Sequence, residues 1–116
     1  MPAKAGIHFV FSNEYEGRMA IRQPAVYILA NRPRGTLYVG VTGWLRQRIH
    51  EHREGLIDGF TKRHGVKALV WFEWHADFNF AIRRETQLKP WKRAWKLELI
   101  ETANPQWRDL WADIAW

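Results

Sequence analysis

Cysteine is absent from the chain, which removes disulfide stapling, thiolate catalysis and cysteine-built zinc sites together. Long apolar runs are missing as well, since no stretch approaches the ~20 residues that a membrane helix requires. Met1 to Ala20 lack a basic cluster followed by an apolar stretch and a cleavage site, so no secretory signal is expected. The cytoplasm is the expected compartment. No internal repeat and no low-complexity segment interrupts the sequence. At 116 residues there is room for one domain, and 47% hydrophobic with 26% charged residues is an ordinary globular balance.

Acidic residues are the minority, and they are unevenly placed. Lys and Arg number 18 against 12 Asp and Glu, a net charge of +6. Residues 1–21 are balanced, residues 22–96 carry 15 basic and 6 acidic side chains, and residues 97–116 carry Arg108 against Glu98, Glu101, Asp109 and Asp113. A basic middle with a mildly acidic tail points to a polyanion partner, and nucleic acid is the usual one. A solvated basic surface without a partner is the plainer explanation. Eight tryptophans are the second excess, and five of them lie from Trp91 onward. Their partial spacing of three or four reads first as helix faces docking on a core, and second as platforms for unpaired bases.

Residues 1–22 show no sustained period and read as a loosely ordered arm, with Ile7 to Phe11 as a short apolar piece. A domain over residues 23–116 follows. Ala25 to Ala30 is a β-rich run opened by Pro24, and Thr36 to Val41 is a second strand after the turn cluster Asn31-Arg32-Pro33-Arg34-Gly35. Thr42 is expected to cap a helix carrying Leu45, Ile49 and His52. Gly59 to Gly65 reads as a polar loop, Val66 to His75 as the third strand, and Asp77 as the cap of a helix through Phe78, Ile82, Glu85 and Leu88. Pro90 suits the first turn of a new helix. That helix carries Trp91, Trp95 and Leu99 on one face and Lys89, Lys92, Arg93 and Lys96 on another. Asn104-Pro105 is expected to start a last helix. The order describes an α+β fold, a small three-stranded antiparallel sheet flanked by helices.

Specific residues then stand at family-like spacings. Val26-Tyr27-Ile28 and Tyr38-Val39-Gly40 put two tyrosines 11 residues apart across the hairpin. Arg48 follows Tyr38 by ten residues, and His52 lies one helical turn further. Gly59-Phe60-Thr61, Ala81-Ile82-Arg83-Arg84-Glu85 with Leu88-Lys89, and Asn104-Pro105 with Trp107 and Asp109-Leu110 complete the series. Taken in order, these segments resemble the GIY-YIG nuclease superfamily, and within it the small single-domain bacterial members described as endonucleases. The likeness runs from about Ala25 to Leu110. The first tripeptide departs from the pattern, with Ala25 and Val26 standing where glycine and isoleucine are usual, and Pro90 stands where the small members have glycine.

The resemblance implies a Mg²⁺- or Mn²⁺-dependent endonuclease acting on DNA, of the kind used in DNA repair. It assigns Glu85 as the metal ligand, Arg48 as the phosphate clamp, and Tyr27, Tyr38 and His52 as the remaining catalytic set. The residue types suit that chemistry. A lone carboxylate fits a hydrated Mg²⁺, a guanidinium offers a planar fork to a phosphate, and a histidine can move a proton. Each also has a plainer reading: Glu85 as an i, i+4 partner of Lys89, Arg48 as a solvated helix arginine, His52 as a buried helix histidine, and the tyrosines as core aromatics. Either Tyr27 or Tyr38 takes the water's proton, with Arg48 and the metal lowering the phenol's pKa. Arg46 and Arg53 read as solvated. Lys89, Lys92, Arg93 and Lys96 would grip the DNA backbone. Asn104 is the weakest member, since a helix cap already accounts for it. Two other functions compete: a catalytically silent nucleic-acid-binding module of the same fold, and a basic amphipathic helix at residues 89–96 lying on a membrane surface.

Overall fold

The computed structural model describes residues 22–114. The loose arm expected over residues 1–22, with its Ile7 to Phe11 piece, therefore lies outside the described residues apart from Arg22. Three strands form one antiparallel sheet in the order β2-β1-β3, with β1 spanning Ala25–Ala30, β2 Leu37–Thr42 and β3 Ala68–Trp74. Around them lie α1 (Leu45–Arg53), α2 (Phe60–His64), α3 (Phe78–Leu88), α4 (Arg93–Ala103) and a 3-10 turn at Leu110–Asp113. The expected α+β architecture is present.

The central strand explains the layout. All six residues of Ala25–Ala30 are buried, as a strand covered on both faces must be. Because side chains alternate, Val26, Ile28 and Ala30 join Val39, Val41, Val70, Ala81, Leu88 and Ile100 in one core under α3 and α4. Ala25, Tyr27 and Leu29 join Leu45, Ile49, Val66, Leu69 and Ile114 in a second core under α1. The hairpin turn is closed by Asn31, whose side-chain oxygen accepts from the Thr36 amide at 2.9 Å. Arg93 at the start of α4 donates to the carbonyls of Arg34 and Gly35 and so fastens that helix to the turn.

Four local expectations are corrected. Thr42 does not cap α1 as its N-cap residue. Trp44 holds that position, and the Thr42 hydroxyl accepts the Trp44 amide instead. Gly59 to Gly65 is not a loop throughout, because its centre winds into α2 between Gly59 (φ 118°) and Gly65 (φ 64°). Glycine tolerates both angles, so the chain can enter and leave one short helical turn abruptly. Pro90 lies in the turn after α3, and α4 begins only at Arg93 with Lys92 in the N-cap position.

Asn104 starts no helix. It terminates α4, and its side chain donates to the carbonyls of Val70 (3.0 Å) and Arg108 (2.9 Å) while accepting from the Arg108 amide (3.0 Å). A side chain committed to three backbone groups is stronger local currency than a helix start, so the chain turns here and is pinned to β3. Asp109 then caps the 3-10 turn through the Trp111 amide.

Candidate active site

β1 and β2 pair with Tyr27 opposite Gly40 and Leu29 opposite Tyr38. Side-chain alternation therefore puts both phenols on the α1 side of the sheet, as diagonal neighbours whose ring centroids are 6.4 Å apart. A side chain at Gly40 would collide with the phenol carbon and oxygen of Tyr27. The absence of a Cβ at Gly40 is what lets the Tyr27 ring lie across β2.

α1 supplies the facing groups. His52 comes one turn after Arg48, so both project from the same side of the helix. The imidazole packs against both tyrosines, at 5.8 Å from Tyr27 and 5.7 Å from Tyr38 between ring centres. Its Nε2 lies 3.1 Å from Tyr27 Oη, and its Nδ1 lies 3.1 Å from Thr61 Oγ1. Tyr27 is 1% exposed, His52 3% and Thr61 5%, so this chain of polar groups runs through the core rather than over its surface. Arg48 pairs with Glu51 at 3.2 Å, and its charge acts on both Tyr27 and His52.

Electrostatics favours the neutral forms of Tyr27 and His52. Burial pushes the Tyr27 phenol well above its ordinary value, helped by Tyr38, and Arg48 offsets only part of that shift. The expected lowering by Arg48 is thus present but outweighed by desolvation. Burial, reinforced by the Arg48 charge, pulls His52 down to about 4. A neutral imidazole bonded to a neutral phenol is the resting state.

Glu85 projects from α3, and its charge adds the smallest share to the upward shift of Tyr27. It is 7% exposed, and its Oε2 pairs with Lys89 Nζ at 3.0 Å. Among the described residues no cluster of three or more histidines and carboxylates could hold a metal. A hard cation that keeps most of its waters needs only one carboxylate, and a half-exposed lysine is a partner such a cation can displace. The donor set fits a hydrated Mg²⁺ or Mn²⁺ on Glu85.

The other expected residues are not part of this cluster. Asn104 is occupied in holding β3 and the segment after α4 together. The expected ridge is largely used inside the protein: Arg93 holds the hairpin turn, Lys96 donates to the Lys89 carbonyl at 2.9 Å, and Lys89 pairs with Glu85. Lys92 lies over the Trp95 ring at 5.0 Å. Arg46 and Arg53, expected to be solvated, both stack on Trp111, and Arg53 also pairs with Asp109 at 2.6 Å. They fasten the C-terminal turn to α1. Sequence reasoning missed Thr61 and Gly40 as individual residues, although both lie inside segments that carried the family likeness.

The sequence model of the GIY-YIG catalytic domain matches residues 23–98. A UPF0213 protein of Syntrophus aciditrophicus (strain SB) is 37% identical over 82 residues, covering 70% of this chain and 92% of the relative. One from Clostridium perfringens (strain 13 / Type A) is 36% identical over 79 residues, covering 68% and 84% respectively. A third, from Staphylococcus haemolyticus (strain JCSC1435), is 34% identical over 76 residues, covering 66% and 92%. No solved structure matches the chain. With two tyrosines, an arginine and a histidine gathered on the sheet that this domain model spans, the chain belongs to the GIY-YIG nuclease family.

Proposed function

We propose that the protein is a divalent-metal-dependent endonuclease that hydrolyses DNA phosphodiesters with little or no base preference. The observation that carries this reading is the convergence of Tyr27, Tyr38, Arg48 and His52, with Glu85 brought within electrostatic reach from another helix. Arg48 would clamp a phosphate oxygen, a role its fork suits. Tyr27 would take the attacking water's proton while passing its own to His52 Nε2, so the phenol never stands as a free phenolate in a buried site. An incoming phosphate supports that transfer, since its negative charge raises the proton affinity that Arg48 lowers. Tyr38, partly exposed at the mouth of the cluster, would hydrogen-bond the water or the phosphate. Bound at Glu85, the metal ion would supply charge neutralisation at the reacting phosphate.

Lys89, Lys92, Arg93 and Lys96 remain proposed backbone contacts, with Lys92 the member that, among the described residues, no backbone carbonyl or carboxylate holds. Exposed Lys62, Arg63 and Lys67, close in sequence to Thr61, add positive charge beside the site. Such contacts position a duplex without reading it. The chain has no cysteine with which to build a zinc finger for sequence reading. The membrane-surface alternative needs Trp91 and Trp95 both exposed, whereas Trp91 packs on the core under α4.

Incubating the purified protein with supercoiled plasmid and with branched junctions, with and without Mg²⁺ or Mn²⁺, tests the reading. Metal-dependent nicking or cutting at sites that share no sequence is expected. Retained DNA binding with no cleavage under any metal would identify the silent binding module instead.

A further inference from the structure

The polar chain through the core has a direction. Among the described residues the Tyr27 oxygen has one hydrogen-bond partner, His52 Nε2. The phenol's single O–H needs an acceptor in the resting fold, where the side chain is 1% exposed. His52 Nε2, at 3.1 Å, is positioned to accept it. A neutral imidazole whose Nε2 accepts carries its hydrogen on Nδ1, and Nδ1 faces Thr61 Oγ1 at 3.1 Å. The donors therefore run from Tyr27 to His52 to Thr61.

We infer that Thr61 is a positioning residue: by accepting Nδ1–H it holds His52 in the tautomer whose Nε2 receives the Tyr27 proton. The inference rests on the nuclease reading for its consequence, but not for its geometry. α2 is built to present this hydroxyl. Its five residues are bounded by glycines at positive φ, and the Thr61 carbonyl accepts the Val66 amide at 2.9 Å, which turns the chain back toward β3. Thr61 is the only residue of α2 that is buried. Without its hydroxyl, Nδ1 would face a buried apolar wall. The imidazole would then gain by moving its hydrogen to Nε2, where it would donate to Tyr27 rather than accept from it. Proton transfer from the phenol would be blocked while both side chains stayed in place.

The test uses Thr61→Val, which keeps the shape and removes the hydroxyl, and Thr61→Ser, which keeps the hydroxyl. Nitrogen-15 histidine spectra of the full chain report the tautomer directly, with His52→Gln assigning the resonance. Wild type and Thr61→Ser should show His52 as the Nδ1–H form. Thr61→Val should shift it toward Nε2–H and lower kcat by about 10²-fold, with KM for DNA unchanged. Thr61→Ser should restore kcat to within a few-fold. An Nε2–H tautomer in wild type overturns the inference, and that result needs no variant to fold. So does Thr61→Val with a lowered Tm but an unchanged tautomer, since Thr61 would then be structural only. If wild type cleaves no DNA at all, the nuclease reading falls, while the spectra still decide the role of Thr61.

Discussion

Odd-numbered residues of β1 face α1, and even-numbered ones face α3 and α4. The even side packs Val26, Ile28 and Ala30 against aliphatic and aromatic neighbours. The odd side carries Tyr27, and through it a chain of three polar side chains, Tyr27, His52 and Thr61, in what would otherwise be a second apolar core. One strand thus serves packing on one face and the proposed chemistry on the other. The difference shows why a buried tyrosine is tolerated here: its hydroxyl has a partner, and that partner has one in turn. Glu85 crosses this division, since it belongs to a helix of the packing face but acts electrostatically on the chemical one.

Substitutions can break either side separately. Glu85→Gln is expected to have the largest effect, abolishing cleavage while leaving DNA affinity within a few-fold, because a neutral amide is a poor ligand for a hard cation. Undiminished cleavage by a metal-titrated sample would remove Glu85 from the site. Arg48→Ala should slow cleavage by about 10²–10³ through loss of a preorganised charge. Its neighbour Arg46 makes an instructive contrast. Arg46→Ala should lower stability by about 1 kcal/mol through loss of its stacking on Trp111, with the rate per folded molecule almost unchanged. Equal rate effects from both arginines would reduce them to bulk positive charge.

The chemical face should also be the pH-sensitive one. In the unfolded chain His52 takes up a proton below about 6.5, but in the fold it does so only below about 4. The unfolded state binds more protons between those values, so the His52 contribution is complete above pH 6.5 and drains away as pH falls toward 4. The loss is on the order of 3 kcal/mol and should vanish in His52→Gln, as urea titrations across that range would reveal. On the packing face, Ile28→Val should cost about 0.5–1.5 kcal/mol at every pH and leave the rate per folded molecule unchanged. A pH-dependent penalty there would mean that the two faces are coupled.

Much of this division was legible in the sequence. The β-rich run of Ala25 to Ala30 marked β1, and Asp77 marked the start of α3 by its own side-chain chemistry. The spacing of Tyr27, Tyr38 and His52 anticipated that these side chains meet, because hairpin register and helix position translate spacing into proximity. What escaped was set by long-range partners. Asn104 looked like a helix start because its contacts to Val70 and Arg108 depend on how β3 and α4 pack. Arg46 and Arg53 looked solvated because Trp111, their stacking partner, is 58 or more residues away in sequence. Arg93 and Lys96 looked available for DNA because the carbonyls they hold carry no side-chain signature. Thr61 was hidden in a segment whose glycines read as loop, though they frame a helix.

Adjacent residues of β1 supply the most direct test of the whole account. Supercoiled plasmid should be incubated in Mg²⁺ with wild type, Tyr27→Phe and Ile28→Val at equal concentrations of folded protein. The account predicts that wild type and Ile28→Val cut at the same rate, while Tyr27→Phe is slower by at least about 10²-fold. Cleavage by Tyr27→Phe at the wild-type rate would contradict it, because the phenol at the head of the polar chain would then take no part in the reaction.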